Sequence, residues 1–222
     1  MFQSKTRNII IPQSEHARLA GTIAYHWGNT AIAATPIDKT AFAAGVTLHD
    51  RGYGLIDTMG IGTTDESVWL MTQQRGIHTP EADPVIDTVA LMHIRRLLSH
   101  SDEADAQAFI QLADERIAHN IAQTAHTHDE FVQADRVTEL CDNISFKFCF
   151  EELAQFTGNV GATDNLQPIQ VQIKPRGVIH LNPWPLNVAE VQGFILGYQA
   201  AGYPDHLQPI LVEYAITPQV EG

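Results

Sequence analysis

A chain of 222 residues with 44% apolar and 18% charged side chains can bury a substantial core, and such a composition excludes a disordered tail or a fibrous repeat. Its 26 acidic against 13 basic residues give a formal charge of −13, a field that repels phosphate backbones and anionic membranes and argues against nucleic acid as a partner. The apolar run Ile9-Ile10-Ile11 is too short for a signal peptide, and no stretch approaches the roughly 20 apolar residues of a membrane span, so a cytoplasmic protein with no membrane partner is expected.

The spacing predicts a first helix from Ser14, as N-cap, to about Trp27, with His16, Leu19, Ala20 and Ile23 on its inward face. A second helix starts at Asp38, carries Phe42, Val46 and His49 on one stripe, and stops at the glycines of His49-Asp-Arg-Gly-Tyr-Gly54. After a loop rich in glycine, threonine and proline, Asp83-Pro84 opens a helix to about His100 whose inward stripe includes Val89 and His93. A fourth helix spans 102–126, with acidic residues in its first turn and His119 off its core face. The motif His126-Thr-His128-Asp129 reads as capping residues at a helix junction.

A long fifth helix is expected from about Asp129 to Phe156, apolar around much of its circumference, with Asp142 on a face shared with Phe146 and Cys149. Cys141 and Cys149 lie on it about 12 Å apart at 1.5 Å per residue, too far to bridge, so reduced buried thiols are expected. Near residue 160 the periodicity changes from helical to alternating. Ile169-Gln-Val-Gln-Ile173 and Val178-Ile-His-Leu181 read as a hairpin, Pro209 to Ile216 as a strand, and Val191 to Tyr198 as strand or helix. The expected fold is mostly α: a helical bundle over 1–160, with a small antiparallel β-sheet in a subdomain over 161–222 packed on it.

The residues that point to chemistry are His16, His49-Asp50, His93 and Asp142. Imidazoles and carboxylates turned into an apolar core are costly without a partner, and together they form the mixed nitrogen and oxygen shell that suits Mn, Fe, Co, Ni or Zn better than calcium. Taken singly, an inward histidine is more often a hydrogen-bonded core residue than a ligand. No phosphate-cradling glycine loop and no Gly-x-Ser-x-Gly nucleophile motif is present.

The order H, then HD, then D on successive helices resembles the HD-domain superfamily, whose four such side chains bind a divalent metal and most of whose characterised members hydrolyse phosphate esters. Ile11-Pro-Gln-Ser-Glu-His-Ala-Arg-Leu-Ala-Gly21, His49-Asp50 with Gly52 and Asp57, Met92-His93, and Asn182-Pro-Trp-Pro185 resemble more closely a bacterial domain-of-unknown-function family, number 3891, over nearly the whole chain. The resemblance implies an HD-like fold and metal ligation by His16, His49, Asp50 and Asp142, with His93 as a ligand to a second ion or a hydrogen-bond donor to substrate. It implies a metal-dependent hydrolase of a small phosphorylated metabolite or nucleotide, in which Asp50 accepts a proton and Arg18, Arg51 and Arg95 are candidates to clamp the anion. Asp57 is left open between orienting a ligating histidine and capping a turn. A di-iron oxygenase of HD type, and a noncatalytic ligand-binding or regulatory protein on the same scaffold, are the alternatives. Self-association is left open.

Overall fold

In the computed structural model, which describes residues 1–219, the chain opens with strands and not with a helix; the last three positions of the 161–222 segment lie outside the described residues. β1 (Phe2–Gln3) pairs antiparallel with β2 (Ile9–Ile11), and all three isoleucines of β2 are buried. Pro12 then takes the N-cap position of α1 (Gln13–Tyr25), with Ser14 already inside the helix. α2 (Lys39–Thr47) is capped by Asp38, whose carboxylate accepts the Thr40 and Ala41 amides at 3.0 Å. A tight turn at Arg51–Tyr53 follows it.

The segment expected to be a loop contains α3 (Glu66–Ile77), which buries Leu70, Gln73 and Ile77 at helical spacing. Its backbone crosses the turn after α2 so closely that a Cβ on Gly52 would lie 2.2 Å from the Thr72 carbonyl. Glycine is required there by contact, whatever its conformational freedom. α4 (Pro84–Leu98) is capped by Asp83, α5 spans Ala104–Ile121, and α6 (His128–Cys149) begins with a capping box between Thr127 and Glu130.

α6 ends seven residues before the expected Phe156 because Glu151 adopts a left-handed conformation, φ 53°. Its carboxylate is pinned there by Ser4, Thr6 and Arg7 of the N-terminal segment. The chain leaves as β3 (Ala154–Val160), followed by β4 (Gln167–Lys174), β5 (Val178–Asn182), β6 (Val191–Gln199) and β7 (Pro209–Pro218). The segment at 191–199, left open between strand and helix, is therefore strand.

The expected mostly helical bundle with a small C-terminal antiparallel sheet is corrected. Helix makes up 43% and strand 21%, and all seven strands join one mixed sheet. Its order is β1-β2-β6-β7-β5-β4-β3, with β5 and β7 parallel and the remaining pairs antiparallel. β2 inserts beside β6, so the sheet takes strands from both ends of the chain. Alternation turns Ile169, Val171, Ile179, Leu181, Val212 and Ile216 inward, where they share one core with Leu19, Ile23, Leu140 and Ile144 of α1 and α6. Among the described residues no helix is long and apolar enough to cross a membrane.

Candidate metal centre

Four helical segments deliver the polar residues to one point. His16 lies one turn into α1, where the Phe2 ring packs at 4.9 Å from the imidazole. His49 and Asp50 occupy the turn after α2, and His93 and Asp142 project from α4 and α6. His16, His49 and His93 are at most 1% exposed, with Asp50 and Asp142 at 7% and 14%.

The hydrogen bonds fix the ring protons of two of these histidines. His49 Nδ1 lies 2.6 Å from the Val46 carbonyl, which only accepts, so Nδ1 carries the proton. Ser145 Oγ donates to the Asp142 carbonyl at 3.0 Å and therefore accepts from His16 Nδ1 at 2.8 Å. In the neutral rings both Nε2 atoms consequently carry the lone pair, and they face each other at 3.1 Å.

The two carboxylates sit against the same pair. Asp142 Oδ1 lies 3.1 Å from His16 Nε2 and 3.6 Å from His49 Nε2. Asp50 Oδ2 lies 3.6 and 3.5 Å from the same two nitrogens. Ligands bound at about 2.0–2.2 Å to one ion are separated by about 3–3.5 Å. The donor set suits a transition-metal ion in composition, and its ligand atoms fall into two overlapping groups that share His49, His16-His49-Asp142 and His49-Asp50-His93, each within 4.8 Å.

Without a cation the cluster must recruit protons. Burial, the largest influence on His49, lowers its pKa, but Asp50 and Asp142 overturn that and raise it to about 9. Asp142 is held well below the usual carboxylate range: burial works against this, and hydrogen bonds from His16 and His49 outweigh it. His93 is pushed down by burial and by the charge on His49.

A cavity of about 580 Å³ opens over the cluster, lined by His16, Asp50, His93 and Asp142 together with Arg96 and His100. Trp69, Leu97 and Phe146 supply apolar wall, and Glu66 and Glu139 add negative charge.

Of the residues singled out in the sequence, His16, His49, Asp50, His93 and Asp142 come together, whereas the arginines do not join them. Arg18 donates to Glu15 and to the Phe194 carbonyl, at 2.6 and 2.7 Å, away from the cavity. Arg51 is buried against Asp87 at 2.8 Å and the Gly76 carbonyl at 2.7 Å. Arg95 pairs with Asp114 on the surface. Asp57 accepts the Gln13 amide at 2.9 Å, satisfying the start of α1, and touches none of the histidines. His119 is exposed, Thr127 caps α6, and both cysteines are buried and free.

Two residues were overlooked in the sequence. Ser145 orients His16 from three positions after Asp142, and Arg96 reaches the cavity from three positions after His93. Each follows a recognised ligand candidate on the same helix face, and that spacing was the available signal.

No curated protein and no solved structure matches the chain. A family model described as a protein of unknown function, DUF3891, matches residues 1–198, and the chain belongs to that family.

Proposed function

We propose that His16, His49, Asp50 and Asp142 hold one divalent transition-metal ion, and that the protein is a metal-dependent hydrolase of HD type acting on a small phosphorylated metabolite or nucleotide. The observation that carries this reading is the pair of Nε2 lone pairs opposed at 3.1 Å between two buried carboxylates. Four acceptors facing one point are stabilised by a cation. When bound, a Mn, Fe, Co, Ni or Zn ion polarises a phosphoryl oxygen and lowers the pKa of an adjacent water.

The chain's own groups would supply the rest. Asp50 accepts the proton of the attacking water, Arg96 presents positive charge on the cavity wall, and His100 adds an imidazole beside it. The apolar wall limits water, and a volume of about 580 Å³ suits a metabolite-sized ligand. Glu66 and Glu139 oppose additional negative charge, which favours one phosphoryl group over a triphosphate.

The test is elemental mass spectrometry on untagged protein beside a His49→Ala, Asp50→Ala double variant, followed by assays on phosphomonoesters. Near-stoichiometric ion, lost in the variant, together with phosphate release is the expected result. No ion after incubation with each metal would overturn the reading in favour of a noncatalytic binding protein. A di-iron oxygenase is the second reading, supported by one observation: ligand atoms of His49, Asp50 and His93 form another set lying within 4.8 Å of one another.

A further inference from the structure

His93 is 1% exposed and its Nε2 has no hydrogen-bond partner among the described residues. That orphaned atom invites assignment as a ligand to a second ion, and the other end of the ring argues against it. Arg96 Nη2 lies 3.0 Å from His93 Nδ1. A guanidinium has no acceptor, so Nδ1 must offer its lone pair and the proton of the neutral ring resides on Nε2. Arg96 is itself fixed from behind, its Nε donating to Asp135 at 3.1 Å. This arrangement is the reverse of that at His16 and His49, whose Nδ1 protons are bonded outward to Ser145 and the Val46 carbonyl. Two rings are set to ligate and the third is set to donate.

A carboxylate acceptor for that donor is Asp50 Oδ1, 3.6 Å from His93 Nε2, while the opposite oxygen of Asp50 faces His16 and His49. We infer that His93 is a positioning residue, held by Arg96 as an Nε2–H donor that aims the Asp50 carboxylate at the other ligands, and that the centre takes one ion and not two. The inference rests on the metal-binding reading above. It assigns Asp135 and Arg96 to the same line of support, through which a change at either residue reaches Asp50.

The decisive variant is His93→Gln. A glutamine amide reproduces the polarity of the ring, with an oxygen to accept from Arg96 and an N–H to donate to Asp50, and it is a poor ligand for transition metals. One ion per chain is expected in wild type, in His93→Gln and in His93→Ala. Affinity for Zn should stay within a few-fold of wild type in His93→Gln and weaken by about 10- to 100-fold in His93→Ala. The visible spectrum of the Co-loaded protein should be unchanged by the glutamine.

Nitrogen-15 NMR of the imidazoles gives an independent reading on metal-free and Zn-loaded protein alike. His93 should show its proton on Nε2 in both states, and Arg96→Met should abolish that preference. Two ions in wild type falling to one in His93→Gln, or a Zn-induced shift at His93 Nε2 like those at His16 and His49, would overturn the inference while leaving the hydrolase reading intact. A wild type that binds no ion overturns the hydrolase reading instead, and the proton position on metal-free His93 still decides whether Arg96 locks the ring.

Discussion

Asp50 and Arg51 are neighbours in the chain, yet they enter buried clusters of opposite make-up. Arg51 joins one whose carboxylate is saturated, with Arg51 Nη2 alone left unpartnered: Asp87 Oδ1 accepts from Arg51 and the Glu81 amide, and Oδ2 accepts from Arg116 and Asn120, all at 2.7–3.1 Å. Each lone pair of that carboxylate has a donor, and two guanidinium groups offset its charge. Asp50 joins a deficient one, in which two carboxylates and two ring nitrogens lie together with no arginine or lysine paired to them among the described residues. Burial alone thus does not mark a functional site. The balance of donors against acceptors separates a cluster that completes the fold from one that calls for a ligand.

The largest effect expected from testing that contrast is on the saturated side. Asp87→Asn leaves Arg51 and Arg116 without their counter-charge and should cost about 3–5 kcal/mol in denaturant unfolding, while the folded fraction keeps its metal affinity. Next comes ion binding itself. At about 100 times its dissociation constant the ion should stabilise the native state by about 2.7 kcal/mol, an increment that thermal unfolding should show in wild type and in Asp87→Asn but not in His49→Ala, Asp50→Ala.

A smaller effect comes from pH. The metal-free His49 pKa lies at about 9, above the ordinary 6.5. Its contribution is therefore complete below pH 6.5 and is lost as pH rises through about 9. For one such group the loss between 6.5 and about pH 8 is on the order of 1 to 2 kcal/mol. Metal-free protein should lose stability over this window, whereas a bound ion displaces the proton and should flatten the profile; a metal-free profile that rises instead would refute the proton's stand-in role. The smallest change is Arg18→Ala, expected to stay within about 0.5 kcal/mol and to leave metal content untouched.

The inward placement of His16, His49, His93 and Asp142 was legible because helical periodicity is local, and each shares a stripe with apolar neighbours. The partners were not. Arg51 was read as an anion clamp from its place after the dyad, but its acceptor Asp87 lies far along the chain on α4, and nothing in the spacing connects them. α3 escaped because Glu66–Ile77 mixes its buried Leu70 and Ile77 with buried Thr72 and Gln73, which blurs the apolar stripe. The fifth helix was drawn too long because its stop is Glu151, a residue without glycine's freedom, held in place by donors from the other end of the chain. β1 and β2 are two and three residues long, too short for any alternation to register, and their partners are specified only by the completed sheet.

The insertion of β2 beside β6 has a consequence for the order in which the protein is made. Ile9 pairs with Gln199 and Ile10 with Tyr198, and β2 runs through Pro12 directly into the helix that carries His16. His16 thus leaves the ribosome well before the strand that seats its helix. Pairings of such long sequence separation form slowly. His49, Asp50 and Asp142 can gather within a helical intermediate, but the fourth corner of the cluster closes only when the sheet does, so capture of an ion should report on the completion of folding.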